Sequence, residues 1–341
     1  MPVVKNATRL NNAVSAGARA FAYLDGATPH QVVARRGPAR LRFYEPEQVA
    51  EGATPVMLVT PIINRFRVVD LEPEASLVGS LIEAGIPVYL VDWGQPARID
   101  QDTDWDDYVL LTLPRFRRAI PHEGPIDVIG YCLGGTISTV FAARFPEAVR
   151  KFVTLNTPVD FHTGQPHMDL LGKWVNPDHF PVEEITGAFG NMPGSLIAQG
   201  FVWQRPTSSA TKMHNAWKRF EDAAFAEYFT VLESWNQDGV DVPGAAYRTL
   251  INRLYRQNDL IEGRFELRGQ PIDLSRIDMP TLVVTSSFDT TCPPAAAHAL
   301  LDVISSADKD SLDLKGGHIT AIVGRKAKAR LHAPLCEWLA K

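Results

Sequence analysis

The segment Gly130-Tyr-Cys132-Leu-Gly134 constrains the fold more than any other part of the sequence. It follows an apolar run at 126–129 and precedes residues that suit a helix. A strand, a tight turn and a helix in this order form a nucleophile elbow, which lifts the central side chain above a sheet edge. Glycine on either side avoids collisions with the neighbouring strand and helix. The segment therefore predicts an elbow whose nucleophile is Cys132.

Short apolar runs alternate with helical patterns on both sides of this segment. Four of the runs are predicted to be buried strands: 55–60, 87–93, 125–129 and 151–155. The alternation predicts an α/β fold with a mostly parallel sheet and helices on both faces. It stops near residue 162 and resumes with strands at 280–286 and 310–315.

We divide the chain into four segments on this basis. An N-terminal helix and lead-in are predicted for 1–36, the sheet domain for 37–161 and 275–341, and a helical cap insertion for 162–274. Within the cap, the helical pattern favours three helices, near 183–200, 210–235 and 244–257.

The composition restricts the class of protein. A net charge of -5 without a Lys/Arg-rich run argues against nucleic-acid binding. No signal-peptide pattern is present, and no apolar run approaches the about 18 residues of a membrane span. Three distant cysteines, Cys132, Cys292 and Cys336, favour free thiols in a reducing compartment, and no metal-binding spacing occurs. We expect a cytoplasmic protein without a metal.

A cysteine nucleophile needs a base and a third group that orients the base. In open α/β sheets such groups collect at the carboxyl ends of the strands. Asp289 follows the strand at 280–286, and His318 follows the strand at 310–315. The order nucleophile, acid, histidine is that of the α/β-hydrolase fold. We therefore predict Cys132, Asp289 and His318 as the catalytic residues.

For each of these residues, the alternative is a purely structural role. Cys132 is then a small buried apolar side chain, Asp289 a turn or helix-capping aspartate, and His318 a histidine in a surface loop. Cys292 and Cys336 are interpreted as packing residues.

An oxyanion hole requires main-chain N–H groups near the developing negative oxygen. The N–H of Leu133, directly after the nucleophile, is the first candidate. Ile62 or Ile63, in the turn after the strand at 55–60, is the second. Asn64 and Arg65 follow in the same turn and are predicted to shape the mouth of the site and contact substrate, with a solvated loop as the alternative.

The elbow Gly130-Tyr-Cys132-Leu-Gly-Gly-Thr136 resembles that of the polyhydroxyalkanoate synthases, α/β-hydrolase-fold enzymes whose lipase box carries cysteine. The resemblance covers roughly residues 38–341. It extends to Asn64-Arg65 with Asp70-Leu71, Val91-Asp-Trp93-Gly94, Asn156-Thr-Pro-Val-Asp-Phe161, Asn191-Met-Pro-Gly194, Tyr255-Arg-Gln-Asn258 and Gly316-Gly-His318-Ile319.

The resemblance implies an acyltransferase that polymerises (R)-3-hydroxyacyl-CoA through an acyl thioester on Cys132 and releases CoA. His318 would be the general base, and Asp289 would orient it or help to activate the hydroxyl. No cofactor would be needed, since CoA belongs to the substrate. The chain is similar in length to the short catalytic subunits that work with a second, non-catalytic subunit at the surface of polymer granules, and a homodimer is the other assembly considered.

One residue departs from the family pattern. The family usually has histidine directly after the catalytic aspartate, whereas this chain has Thr290. Two alternatives to polymerisation therefore stay open. One is a related acyltransferase or thioesterase that uses the same three residues with another acceptor. The other is a non-catalytic subunit or granule-surface protein that keeps the fold.

Overall fold

Eight strands form the central sheet of the protein, for which a computed structural model describes residues 2–163, 180–203, 206–324 and 326–341. In chain order the strands are β1 (Gln31–Arg36), β2 (Ala39–Tyr44), β3 (Val56–Val59), β4 (Val88–Asp92), β5 (Ile126–Tyr131), β6 (Val149–Leu155), β7 (Thr281–Ser286) and β8 (Lys309–Leu314).

The spatial order of the strands is β1-β2-β4-β3-β5-β6-β7-β8. The pairs from β4 to β8 are parallel, and only the β1–β2 and β2–β4 pairs are antiparallel. Strands β3, β4, β5 and β7 are buried along their whole length, because helices cover both faces of the sheet. The predicted α/β fold is therefore confirmed.

Helices of regular α geometry occupy the connections and the cap. They are α1 (Pro2–Ala22), α2 (Leu77–Glu83), α3 (Leu113–Ala119), α4 (Leu133–Arg144), α5 (Val182–Phe189), α6 (Gly194–Trp203), α7 (Pro206–Arg219), α8 (Ala223–Gln237), α9 (Gly244–Thr249), α10 (Pro294–Val303), α11 (Thr320–Val323) and α12 (Ala333–Ala340). Wider π-helical segments precede α3 and α12 and follow α9, at Asp107–Thr112, Lys328–His332 and Leu250–Arg256.

The register of the parallel strands sets the position of the site. Tyr131 at the end of β5 pairs with Leu155 at the end of β6, and Leu155 pairs with Val284 of β7. Ser286, the last residue of β7, pairs with Leu314 of β8. The residues that follow β5, β6, β7 and β8 therefore emerge side by side at one edge of the sheet.

Two predicted cap helices are each divided in the structure. The helix predicted at 183–200 breaks at Gly190, whose φ is 79°, and the chain there forms a short ladder with 242–243. The helix predicted at 210–235 breaks before Asp222, whose carboxylate caps α8 by accepting from the N–H of Phe225. The beginning of the predicted cap, at 164–179, lies outside the described residues.

The N-terminal helix lies against the cap. Ala16 and Ala20 of α1 are buried, and Ala16 packs in one apolar cluster with residues of α7 and α8. Arg9 and Arg19 form ion pairs with Glu221 and Glu227, at 2.5 and 2.6 Å. The division of the chain at residues 36, 161 and 274 stays a prediction.

Candidate active site

Cys132 occupies the turn between β5 and α4 in a backbone conformation that L-residues rarely adopt. Its φ and ψ are 52° and -128°. Such a backbone conformation costs on the order of 1–3 kcal/mol of folding free energy, and it persists only where the surrounding structure holds it. The Cys132 N–H donates to the carbonyl of Leu155 at 2.9 Å, and its carbonyl accepts from the N–H of Gly135 at 2.9 Å. The elbow is therefore anchored on β6 and on its own helix.

Gly134 explains why the elbow needs a residue without a side chain. A Cβ atom at this position would lie 2.3 Å from the carbonyl oxygen of Val59 and 2.4 Å from that of Thr60. The first turn of α4 thus rests directly on the end of β3. The turn that carries Ile62 and Ile63 starts at the same point.

His318 lies in the loop between β8 and α11. Its Nδ1 is 2.6 Å from Oδ2 of Asp289. The other carboxylate oxygen of Asp289 accepts the N–H groups of Thr291 and Cys292, both at 2.8 Å. The Asp289 carboxylate is fully buried and the His318 side chain is 15% exposed. Asp289 therefore holds one ring nitrogen, which leaves Nε2 for the nucleophile or the substrate.

The surroundings of His318 raise its pKa to about 10. Burial opposes the charged imidazolium and is the largest single influence. The charge of Cys132 is the largest of the influences that raise this pKa, and together with hydrogen bonding to Asp289 and Cys132 and the charge of Asp289 it outweighs burial. The structure thus places Asp289 in direct contact with His318, and Cys132 close enough to influence the pKa of the imidazole.

The residues predicted for the oxyanion hole lie on the two segments that meet beside Cys132. Leu133 is the first residue of α4, and the N–H groups in the first turn of a helix have no acceptor within the helix. Ile62 and Ile63 are buried in the turn after β3. These positions are compatible with the prediction, which stays a prediction.

Asn64 and Arg65, predicted at the mouth of the site, also contact the cap. Asn64 forms an isolated β-bridge with Gly239, and Arg65 Nε lies 3.2 Å from a carboxylate oxygen of Asp238. The second oxygen of Asp238 lies 3.5 Å from the buried Arg67. These contacts join the turn after β3 to the end of α8. The Arg65 side chain remains one-third exposed, at 33%.

Tyr255 is a cap residue whose hydroxyl is influenced by the charge of Cys132, and the sequence predicts no role for it. It lies in the π-helical segment of the cap, and its ring packs against Phe161 with 5.0 Å between centroids. Burial, and then the negative charge of Cys132, raise the pKa of its hydroxyl. The hydroxyl therefore stays protonated near the nucleophile. The segment Tyr255-Arg-Gln-Asn258 was noted in the sequence, but its approach to Cys132 depends on how the cap folds.

A cavity of ≈ 540 Å³ opens beside the loop that carries His318. Gly316 and Thr320, on either side of His318, contribute to its wall. Four basic and two aromatic side chains complete most of the lining: Arg219, Lys315, Lys326, Arg330, Phe225 and Tyr228. None of the described residues that line it is acidic, so the cavity suits an anion that carries an apolar or aromatic part.

Two kinds of feature are absent from the described residues. No group of three or more His, Cys, Asp or Glu side chains in these residues could hold a metal ion. Within the same part of the chain, none of the helices has both the length and the apolar character needed to cross a membrane.

Sequence profiles of two families match the chain. The profile described as "alpha/beta hydrolase fold" matches residues 75–324, and that described as "Poly-beta-hydroxybutyrate polymerase (PhaC) N-terminus" matches residues 20–81. Solved structures share the fold. The chain aligns with an α/β-hydrolase-fold protein of Nakamurella multipartita with a TM-score of 0.51 and 18% identity, covering 91% of this chain and 99% of that one. An α/β-fold hydrolase of Bacillus anthracis gives 0.52 and 11%, covering 90% and 99%.

Curated relatives are similar over almost the whole chain. The poly(3-hydroxyalkanoate) polymerase subunit PhaC of Haloferax mediterranei is 33% identical over 93% of this chain, which spans 64% of the relative's length. The subunit of the same name from Allochromatium vinosum is 31% identical over 92% of this chain and 89% of its own. With this similarity, an α/β-hydrolase fold and a cysteine at the elbow, the chain belongs to the poly(3-hydroxyalkanoate) polymerase family.

Proposed function

We propose that the chain polymerises (R)-3-hydroxyacyl groups from their CoA thioesters, with Cys132, His318 and Asp289 as the catalytic residues. The observation that carries this proposal is the position of His318, whose Nδ1 is held by Asp289 at 2.6 Å while the imidazole interacts with Cys132. Its relatives are poly(3-hydroxyalkanoate) polymerase subunits by name, which supports the same reaction for this chain.

The first half of the reaction loads the enzyme. The Cys132 thiolate attacks the thioester carbonyl, a carbon–sulfur bond to Cys132 forms, and the bond to the CoA sulfur breaks. The imidazolium of His318 donates its proton to the departing CoA thiolate. Exchange of one thioester for another is nearly isoenergetic, so the acyl-enzyme is not a deep energetic trap.

The second half extends the chain. Neutral His318 accepts the proton of a 3-hydroxyl group. The oxygen of that hydroxyl attacks the carbonyl carbon of the acyl-enzyme, and the Cys132 thiolate is released. Asp289 keeps the imidazole in the tautomer that accepts this proton at Nε2. The N–H groups of Leu133 and of Ile62 or Ile63 are proposed to stabilise the oxyanion in both halves.

The cap is proposed to favour an alcohol as acceptor over water. Cys132 is only 6% exposed, and exclusion of water suppresses hydrolysis of a reactive acyl intermediate. The protonated hydroxyl of Tyr255 adds a hydrogen-bond donor on the cap side. Asn64 and Arg65 stay proposed as contacts to substrate at the mouth.

The basic cavity beside His318 is proposed to hold the nucleotide end of CoA. CoA carries three phosphate groups and an adenine ring, and the cavity presents Arg219, Lys315, Lys326 and Arg330 with two aromatic rings. Arginine and lysine are the usual phosphate partners, and arginine also stacks on aromatic rings. This arrangement would place the thioester near the loop of His318.

Thr290 keeps one alternative open, since the family usually has histidine there. A thioesterase, or an acyltransferase that makes a single bond, would use the same three residues. Incubation of the purified protein with (R)-3-hydroxybutyryl-CoA separates these reactions. We expect CoA release with an insoluble polyester. Release of free acid, or of a single condensed product, would contradict polymerisation.

Cys132→Ala tests the mechanism in the same assay. CoA release is expected to fall by on the order of 10⁴-fold or more, since the nucleophile is removed. Cys336→Ala is the matched control, because that thiol lies in α12 and is expected to have no catalytic role. Equal rates for wild type and Cys132→Ala would exclude covalent catalysis at the elbow and favour a non-catalytic role.

The relatives are named as subunits, which supports a proposal that this chain works with a second, non-catalytic subunit in the cytoplasm, at the surface of polymer granules. A homodimer is the alternative. Molar mass in solution, measured with and without a co-expressed second subunit, distinguishes the two assemblies.

A further inference from the structure

Besides the Asp289 contact, His318 is attached to the fold through its main-chain carbonyl. That oxygen accepts a hydrogen bond from Nδ2 of Asn156 at 2.7 Å and another from the hydroxyl of Tyr131 at 3.2 Å. The two residues before His318, Gly316 and Gly317, bring no side chain to anchor the loop. Main-chain hydrogen bonds also hold the loop, since the carbonyls of Gly316 and Gly317 accept from the N–H groups of Phe288 and Ala321 at 2.9 and 3.1 Å. The two side-chain donors add a restraint at His318 itself.

Asn156 is itself held in one orientation. Its Oδ1 accepts from the hydroxyl of Ser286 at 2.9 Å, and its N–H donates to the carbonyl of Val284 at 2.9 Å. Its φ is 44°, a left-handed conformation that asparagine and glycine adopt more readily than other residues. The side chain is fully buried. An oriented, buried amide of this kind fixes the position of the group to which it donates.

Tyr131 connects the same carbonyl to the nucleophile. It is the last residue of β5 and directly precedes Cys132. Its ring stacks on the imidazole of His318, with 5.5 Å between centroids and 28° between planes. One side chain thus contacts both the main chain and the ring of His318, and the adjacent peptide bond leads to Cys132.

We propose that Asn156, together with Tyr131, is a positioning residue that sets the distance between His318 and Cys132 through the His318 carbonyl. We call the group Tyr131, Asn156 and Ser286 the carbonyl clamp. Each member stands at or directly after the end of a strand, on β5, β6 and β7. The clamp therefore transmits the fixed spacing of three neighbouring strands to the base.

The inference rests on the proposed catalytic role of His318. It adds that the main chain of His318 must be held at a fixed position relative to Cys132. Asp289 fixes the rotation of the imidazole through Nδ1. The clamp fixes where the backbone of His318 lies relative to the elbow. Misplacement of a catalytic group by about 1 Å can cost on the order of 100-fold in rate.

Tyr131→Phe is the most conservative test, because it removes one hydroxyl and keeps the stacked ring. We expect kcat for CoA release to fall about 3- to 10-fold with KM unchanged, in keeping with the loss of one neutral hydrogen bond. Asn156→Gly keeps a residue that accepts φ of 44° and removes the main donor. Here kcat is expected to fall about 100-fold.

Thr154→Val is the matched control. Thr154 lies on β6 two residues before Asn156 and is buried, and its hydroxyl has no hydrogen-bond partner among the described residues. Valine has nearly the same shape, so kcat is expected to stay within about twofold of wild type. Thermal melting of every variant shows whether the fold is retained.

The pH profile of Cys132 alkylation by iodoacetamide gives a readout that a purely structural role would not change. Peptide mass analysis assigns the modification to Cys132 rather than to Cys292 or Cys336. In wild type, pairing with the imidazolium is expected to sustain alkylation at neutral pH. In Tyr131→Phe and Asn156→Gly, alkylation at neutral pH is expected to slow and the profile to move to higher pH.

The clamp proposal and the proposed function are contradicted by different results. If Cys132→Ala abolishes CoA release but the clamp variants match Thr154→Val in kcat and in the alkylation profile, the clamp proposal is wrong and the proposed function stands. If Cys132→Ala keeps wild-type activity, the proposed function is wrong. If Asn156→Gly does not fold, Tyr131→Phe alone decides the clamp.

Discussion

The proposed catalytic end of the sheet and the basic cavity beside it hold their side chains by different means. At the strand ends, Asp289 and Asn156 are buried and make hydrogen bonds of 2.6–2.9 Å to fixed neighbours. In the basic cavity, Lys315 and Arg330 are exposed to solvent. The ion pair between Arg65 and Asp238, which joins the turn after β3 to the cap, is also accessible to water, since these side chains are 33% and 35% exposed.

The two regions are therefore expected to respond differently to substitution. Buried hydrogen bonds set geometry, so the loss of one atom at the strand ends should change the rate of chemistry. Exposed charges attract a charged ligand and are screened by salt, so changes in the cavity should alter affinity and its salt dependence. The strand ends should therefore control kcat, and the cavity should control KM.

The largest effect is expected for Asp289→Asn. The amide keeps the size of the side chain, but it presents a donor or a weaker acceptor to His318 Nδ1 and favours the wrong tautomer. We expect kcat to fall by on the order of 10³–10⁴-fold with KM little changed. Initial rates of CoA release measure both constants. A loss below tenfold would show that His318 does not depend on this carboxylate.

A second test concerns the charge between Cys132 and His318. Burial lowers the pKa of His318, and the Cys132 charge is foremost among the influences that raise it to about 10. In Cys132→Ala this influence is lost, so the His318 pKa should move down toward its ordinary value. Wild type should keep the imidazolium from neutral pH to about pH 10, whereas the variant should lose the proton at lower pH.

Histidine NMR during a pH titration follows this change directly. His332 is an internal reference in the same spectra, because it is buried away from the elbow and burial, the largest influence, lowers its pKa. Equal His318 titration in wild type and Cys132→Ala would contradict the interaction between the two side chains.

The cavity gives the third prediction. Lys315→Ala and Arg330→Ala should each raise KM for hydroxyacyl-CoA about 5- to 20-fold and leave kcat unchanged, because each removes one charge that attracts phosphate. High salt should reduce the difference from wild type. Arg115→Ala, an exposed arginine of α3 outside the cavity, is the matched control.

A substrate without the nucleotide sharpens this prediction. The N-acetylcysteamine thioester of the same hydroxy acid has no phosphate, so wild type, Lys315→Ala and Arg330→Ala should use it equally well. If the cavity variants lose affinity for both substrates, the cavity binds some part other than the nucleotide.

The smallest effect is expected where the cap meets the turn after β3. Arg65→Met removes a partly exposed ion pair with Asp238, and such pairs contribute about 0–1 kcal/mol. Urea denaturation measures the change. A loss above about 3 kcal/mol would show that this contact holds the cap far more strongly than its exposure indicates.

The sequence predicts the central part of the fold well because each buried strand there is a short apolar run. The elbow, the order of Cys132, Asp289 and His318, and the alternation of strands and helices are all local patterns. The sequence does not predict strand β1, since Gln31–Arg36 is half polar and pairs with β2 at the edge of the sheet. Its apolar residues therefore do not form the run that indicates a buried strand.

The contacts that complete the site join distant parts of the chain. The charge of Cys132 influences Tyr255, and Arg65 pairs with Asp238, only after the intervening strands and helices are in place. Asn156 was noted in a motif, but its bond to the His318 carbonyl depends on the register of β6 with β5 and β7. The local periodicity of the sequence does not predict such contacts between residues that are far apart in the chain.

The close approach of Gly134 to β3 has a consequence for altering the product of this enzyme. Any side chain at that position meets the main-chain oxygens of Val59, which is paired on both sides in the parallel sheet, and of Thr60, the residue directly after the strand. Mutant libraries that include the elbow would therefore consist mostly of unfolded or inactive clones. With the proposed function, diversity is better placed in the π-helical segment that carries Tyr255, where substitutions are expected to alter the acyl group accepted while the elbow keeps its form.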